Sequence, residues 1–235
     1  MSIHQKLATL DWPALTAQLD ADGHAVIPGL LDKSQCEVLR ALYVQDSSFR
    51  SRVIMARHNF GLGEYRYFAY PLPELLQELR ERLYAPLRAI ANTWHERLET
   101  GIHYPPEHAG FLDQCHAAGQ QRPTPLLLRY RAGDYNCLHQ DLYGELAFPL
   151  QVAILLSQPG EEFSGGEFVL TEQRPRMQSR VSVVPLQQGD AVVFAVAQRP
   201  ARGVRGYHRV NLRHGVSRLH TGERFTLGVI FHDAL

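Results

Sequence analysis

Hydrophobic residues change their spacing along the chain. Up to about residue 100 they recur at helical intervals. Asp11 is placed to cap a helix that carries Leu15 and Leu19 and stops before Gly23. Ser34 with Glu37 reads as a capping box ahead of Val38, Leu39 and Leu42. A third helix aligns Leu83, Leu87, Ile90, Trp94 and Leu98 on one apolar face. Before it, residues 60–71 crowd aromatics behind Gly61 and Gly63, the pattern of an extended segment or hairpin whose rings either pack or stack on a substrate. Gly101 to Pro125 has no clear period and reads as a lid or connection.

From Leu126 onward, short apolar runs alternate with turn signals. Strands are expected at about 126–131, 135–139, 148–157, 166–171, 180–186, 190–197, 205–213 and 224–231. Gly133-Asp134, Pro159-Gly160, Gly165-Gly166 and Gly189-Asp190 supply the breaks. Such a run of strands predicts a jelly roll, or double-stranded β-helix, with N-terminal packing helices: an α+β fold, mainly β. The 235 residues read as one domain, with 1–125 as helical and loop support and 126–235 as the β-helix core that carries the chemistry.

Composition adds mainly exclusions. Hydrophobic content of 45% and charged content of 20% argue against disorder and against a coiled coil. The start lacks a basic stretch followed by an apolar run, and no apolar segment reaches membrane-spanning length, so a cytoplasmic protein without membrane partners is expected. Cys36, Cys115 and Cys137 are too scattered for a disulfide framework or a thiolate zinc site. Net charge is zero but uneven. Between Arg174 and Arg224 lie ten arginines (174, 176, 180, 199, 202, 205, 209, 213, 218, 224) against Asp190 and Glu223. That half either faces an anionic partner or pairs with acids from the other half.

The candidate chemistry sits in Leu138-His139-Gln140-Asp141. An iron(II) that must leave room for oxygen and a chelating cosubstrate needs few protein ligands on one face, and two histidines with one carboxylate meet that need. His139 and Asp141, two apart on an extended chain, share a side. The third ligand is sought on a late strand among His208, His214, His220 and His232. His214 stands out because Arg224 follows ten residues later and opens the apolar run Phe225 to Phe231. Cys137 shares the parity of His139 and is expected to be a small buried residue, with a fourth metal ligand as the minor reading.

With these residues in place the sequence resembles the iron(II)/2-oxoglutarate dioxygenase superfamily, closest to its prolyl-4-hydroxylase-like branch. The likeness runs over most of the chain. His139, Asp141, His214 and Arg224 match its pattern, supported by Tyr130, Gly165-Gly166-Glu167-Phe168 and Gly189-Asp190-Ala191-Val192-Val193-Phe194. The resemblance implies an enzyme with Fe(II) on His139, Asp141 and His214, and with 2-oxoglutarate and O2 as cosubstrates and ascorbate as reductant. Arg224 would hold the distal carboxylate of 2-oxoglutarate through two parallel charge-assisted bonds, with hydroxyls from Thr226 and Tyr130 beside it. The reaction implied is oxidative decarboxylation to succinate and carbon dioxide, coupled to hydroxylation of a substrate C–H bond.

The substrate expected from the prolyl-hydroxylase likeness is a protein or amino-acid side chain. An alternative is oxidative demethylation of alkylated DNA or RNA bases, motivated by the arginines and the aromatic segment, although known base demethylases place their key arginines farther beyond the distal histidine. A non-catalytic jelly-roll sensor or nucleic-acid-binding module is the third reading, and a carboxylate clamp at Arg224 argues against it. Oligomeric state is not legible in the sequence.

Overall fold

The computed structural model describes residues 3–141, 144–204 and 206–235. Arg205, counted among the ten arginines and as the start of a strand, lies outside them. The chain opens with α1 (Ile3–Ala8), α2 (Trp12–Asp22), β1 (His24–Ile27), α3 (Lys33–Ala41), β2 (Phe49–Ile54), β3 (Gly61–Leu62) and β4 (Glu64–Phe68). The helices α4 (Glu74–Arg97) and α5 (His108–Ala117) follow. Then come β5 (Leu126–Arg131), β6 (Tyr135–His139), β7 (Leu150–Leu155), β8 (Phe163–Gly165), β9 (Phe168–Gln173) and β10 (Arg180–Val184). The last strands are β11 (Ala191–Ala195), β12 (Gln198–Gly203), β13 (Gly206–Val216) and β14 (Leu219–Val229).

Local chemistry explains the helix ends. The Asp11 carboxylate accepts the Ala14 N–H at 2.9 Å, and Gly23, in the left-handed region at φ 74°, closes α2 by donating its N–H to the Leu19 carbonyl. The capping box of α3 is two residues earlier than Ser34 and Glu37. Asp32 accepts the Gln35 N–H at 2.9 Å and the Gln35 side chain accepts the Asp32 N–H at 3.0 Å, so this reciprocal pair sets the start. The helix expected from Leu83 begins a full two turns earlier, because Leu76 and Leu79 continue the same buried stripe. The aperiodic 101–125 stretch contains α5, whose buried face of His108, Phe111 and Cys115 holds too few apolar residues to show a period.

The strands form two sheets. The larger has the order β1-β11-β7-β14-β5-β4-β2 with β8 on β14, and the smaller has β10-β9-β13-β6-β3 with β12 on β13. Four strands come from the first 125 residues, so that stretch supplies sheet edges as well as helices. The eight C-terminal strands expected are present, and β8 and β12 are additional. β8 is only three residues long and β12 carries Pro200, so neither shows a strand signature in sequence. In the middle of the larger sheet, Ala153 and Gly228 are direct cross-strand partners. Two small residues side by side leave space between the sheets where bulky side chains would close it.

The chain end is tied down. Arg80, on α4 and fully buried, donates to the carbonyls of Ile230 at 2.8 Å and His232 at 3.0 Å and to Asp233 at 2.7 Å. Asp233 also accepts from Tyr70 at 2.9 Å and pairs with His116 at 2.8 Å. Nearby, Tyr84, Phe111, Phe148 and Phe231 form an aromatic cluster between α4, α5 and the end of β14.

Much of the basic half is internally matched. Glu172, just outside the arginine-rich window, takes Arg174 at 2.7 Å, Arg180 at 3.6 Å and the buried Arg199. Arg176, Arg202, Arg209, Arg213 and Arg218 are exposed and form no ion pair among the described residues. No helix among the described residues is long and apolar enough to cross a membrane.

Candidate active site

His139, Asp141 and His214 converge between the sheets, with one ligand atom from each within 4.8 Å of the others. Strand pairing brings them together: His139 on β6 and His214 on β13 are cross-strand partners, and their ring centroids lie 4.2 Å apart. Asp141 follows β6 and reaches both rings, with one oxygen 3.3 Å from His139 Nε2 and the other 3.4 Å from His214 Nε2. Gln140 points the opposite way and donates its amide to the backbone carbonyls of Ala197 at 3.0 Å and Leu212 at 2.8 Å, clamping the His-x-Asp turn to its neighbours. Gly215 makes the close approach feasible, since a Cβ there would lie 2.7 Å from the Asn136 carbonyl oxygen.

The donor set fits a divalent metal. The His139 ring shares a hydrogen bond of 2.8 Å with the Cys137 carbonyl through Nδ1, which fixes a proton there and turns Nε2 toward Asp141. Phe168 stacks at 6.1 Å and Phe194 packs at 4.6 Å on the buried His214 ring, locking its orientation. Burial alone would raise the Asp141 carboxyl, but hydrogen bonding and charge from His139 and His214 hold it well below the usual carboxylate range. Burial opposes protonation of His139 too, and the Asp141 contact outweighs it and raises its pKa. For His214 burial prevails and lowers it. Two imidazoles around an ionised carboxylate, with no fourth His, Cys, Asp or Glu in the cluster among the described residues, make a facial-triad-like site suited to iron(II). Cys137 is exposed rather than buried and is not a member of the cluster, although it lines the same cavity and its carbonyl serves His139.

The three residues open onto a cavity of about 380 Å³. Arg224 lies in its wall, 2% exposed. Its Nη1 donates to Thr226 Oγ1 at 2.6 Å and its guanidinium lies 5.6 Å from the Tyr130 ring centre. Its Nε has no hydrogen-bond partner, and the group forms no ion pair among the described residues. Burial pushes its pKa down to about 10. Glu167 acts on it only through its charge, and a buried cation without an ion-pair partner is a cradle for an anionic ligand. Tyr130 is the cross-strand partner of Arg224, and Leu128 that of Thr226, so the clamp residues alternate along two adjacent strands and face one space.

The remaining wall holds Tyr65, Tyr67, Leu126, Leu128, Gln151 and Ile230, with Asn59 and Phe60 among the lining residues. The aromatic segment thus contributes Tyr65 and Tyr67, whose rings meet edge to face at 5.3 Å. His208, His220 and His232 do not line this cavity. Gln151 escaped the sequence reading, although its signal was present: a lone amide inside the apolar run Leu150 to Leu156. Phe168 and Phe194 were part of the resemblance, but their packing on His214 was not foreseen.

A family model, Oxygenase-NA, described as an oxygenase catalysing oxidative methylation of damaged DNA, matches residues 63–234. A protein carried as uncharacterized in Mycobacterium tuberculosis, in strains CDC 1551 and H37Rv, is 48% identical over 167 residues, covering 71% of this chain and 72% of that protein. Among solved structures, a Pseudomonas putida prolyl-4-hydroxylase aligns with TM-score 0.55 and 14% identity over 95% of this chain and 100% of its own. A Burkholderia pseudomallei oxidoreductase of the 2OG-Fe(II) oxygenase family aligns with TM-score 0.54 and 18% identity, over 94% and 91%.

Proposed function

This chain belongs to the Oxygenase-NA family and, with it, to the iron(II)/2-oxoglutarate dioxygenases with a prolyl-4-hydroxylase-like fold, and from that membership we propose that it oxidatively demethylates an alkylated base of damaged DNA. Family membership carries the choice of substrate. It favours the base over the protein or amino-acid side chain that the prolyl-hydroxylase likeness suggested, since a likeness at 14% identity speaks for the fold alone.

His139, Asp141 and His214 would hold the iron, and bound there it supplies the coupled oxidation of 2-oxoglutarate to succinate and carbon dioxide and of a methyl C–H bond to a hydroxymethyl group. A hydroxymethyl on a ring nitrogen breaks down to formaldehyde and the free base. The chain's own residues set the stage for this. The Cys137 carbonyl keeps the His139 proton on Nδ1, so that Nε2 presents a lone pair once its own proton is displaced. Arg224 holds the distal carboxylate of the cosubstrate, and Thr226, whose oxygen is already engaged by Arg224, keeps its hydroxyl proton for the same carboxylate. Tyr130 lies against the guanidinium and backs it. Leu126 and Leu128 keep water from the clamp, while Tyr65 and Tyr67 offer a surface on which a flipped base can stack. The free thiols of Cys36, Cys115 and Cys137 suit a reducing cytoplasm.

The test is release of succinate and formaldehyde, with iron(II), 2-oxoglutarate and ascorbate, from oligonucleotides carrying single N-methylated bases. Equimolar products with a methylated strand and background levels with its unmethylated twin are expected. Stimulation by proline-containing peptides and not by any methylated strand would refute the proposal.

A further inference from the structure

Gln151 sits in β7 with 4% exposure, in the wall of the active-site cavity. Its Nε2 has no hydrogen-bond partner, and its side chain forms no hydrogen bond among the described residues. A buried amide left unpaired costs about 1–3 kcal/mol relative to an apolar side chain of the same shape, so its presence in the apolar run Leu150 to Leu156 needs a ligand to account for it.

Its position separates it from the cosubstrate. Gln151 is the cross-strand partner of Phe194, whose ring packs on His214, so it shares the face that looks onto the metal cluster. The neighbouring Val152 is paired with Val229, five residues along β14 from Arg224. At a strand rise of about 3.3 Å per residue, Gln151, one position further and level with Ile230, has its backbone roughly 20 Å along the sheet from that of Arg224. Gln151 therefore sits at the end of the cavity wall away from the clamp.

Building on the demethylase reading, we propose that Gln151 is the residue that reads the substrate base, and that the base it selects is an N-methylated adenine. A carboxamide offers a donor and an acceptor side by side. On adenine, Nε2–H faces N7 while Oε1 accepts from the N6 amino group, a bidentate match. Guanine shows two acceptors on that edge and would leave Oε1 against O6. Cytosine offers only its amino donor there. With the N6/N7 edge held, the ring nitrogen N1 and its methyl group project from the opposite side of the amino group, toward the open part of the cavity.

The experiment compares full-length wild type, Gln151→Leu and Gln151→Glu, loaded with iron(II) and 2-oxoglutarate, on oligonucleotides carrying 1-methyladenine, 3-methylcytosine or 1-methylguanine. Wild type should favour methyladenine. Gln151→Leu should lose at least tenfold in kcat/KM on methyladenine and less on the other two, flattening the preference. Gln151→Glu keeps shape and acceptors but not the donor, and should lose methyladenine activity as well. Thermal unfolding supplies the control, since a purely structural glutamine would lower the midpoint on substitution, whereas Gln151→Leu is expected to match or exceed wild type. Active wild type with an unchanged base profile in both variants overturns this assignment alone. Wild type inactive on every methylated strand overturns the demethylase reading and this assignment with it.

Discussion

Replacing Arg224 by methionine should leave the ligand-free protein as stable as the parent, or more so, while abolishing its response to 2-oxoglutarate. The guanidinium is 2% exposed, has Thr226 and the Tyr130 ring as neighbours, and feels the Glu167 charge without forming an ion pair among the described residues. Burial pushes its pKa down to about 10, which corresponds to a cost of about 3 kcal/mol to the charged form at neutral pH. Methionine keeps the unbranched stem and removes the charge, so up to that amount returns as stability, less the value of the Thr226 bond, about 1 kcal/mol. The net gain of up to about 2 kcal/mol is worth a rise of several degrees in melting temperature for a chain of this size. Binding moves the opposite way. Two charge-assisted bonds to a carboxylate, each about 1.5–3 kcal/mol, correspond to a loss of at least a hundredfold in affinity. The assay is thermal unfolding with and without 2-oxoglutarate and manganese as an inert stand-in for iron, with calorimetric titration of the cosubstrate. A variant that melts well below the parent without ligand would mean that the guanidinium is a structural tie. A variant that binds 2-oxoglutarate with parental affinity would refute the clamp.

Three further outcomes follow from the same geometry. Gly215→Ala places a Cβ 2.7 Å from the Asn136 carbonyl, so β6 and β13 must part beside His214; metal affinity by titration should fall about tenfold while far-ultraviolet circular dichroism is retained. Burial lowers the pKa of His108 and His232 to about 4, so both stay neutral in the fold; their stabilisation is complete above about pH 6.5 and is lost as pH falls toward 4. At pH 5 each should have cost about 2 kcal/mol in urea unfolding, and His108→Gln should shrink that pH dependence. Arg80→Met leaves the fully buried Asp233 with only Tyr70 and His116 and should cost about 3–5 kcal/mol, more than Asp233→Asn, as read from chemical denaturation.

What the sequence determined by itself was whatever rests on short spacing. His139 and Asp141 share a face because strand side chains alternate, and Arg224 with Thr226 share theirs for the same reason. The end of α2 was legible because Asp11 and Gly23 act through local hydrogen bonds. The α3 capping box was misplaced because two overlapping acid-or-hydroxyl signals compete and only the backbone decides between them. Tertiary structure alone decided everything that depends on partners distant in the chain. Glu172 gathers arginines that look unpaired in sequence. Ala153 and Gly228 face each other and leave a cavity open. Arg224 ends in that cavity without an ion pair among the described residues, and Gln151 on the same wall without a hydrogen bond for its amide nitrogen. A sequence gives the kind of charge or amide a residue carries; whether it is paired, and so whether it is free to bind something else, is a property of the fold.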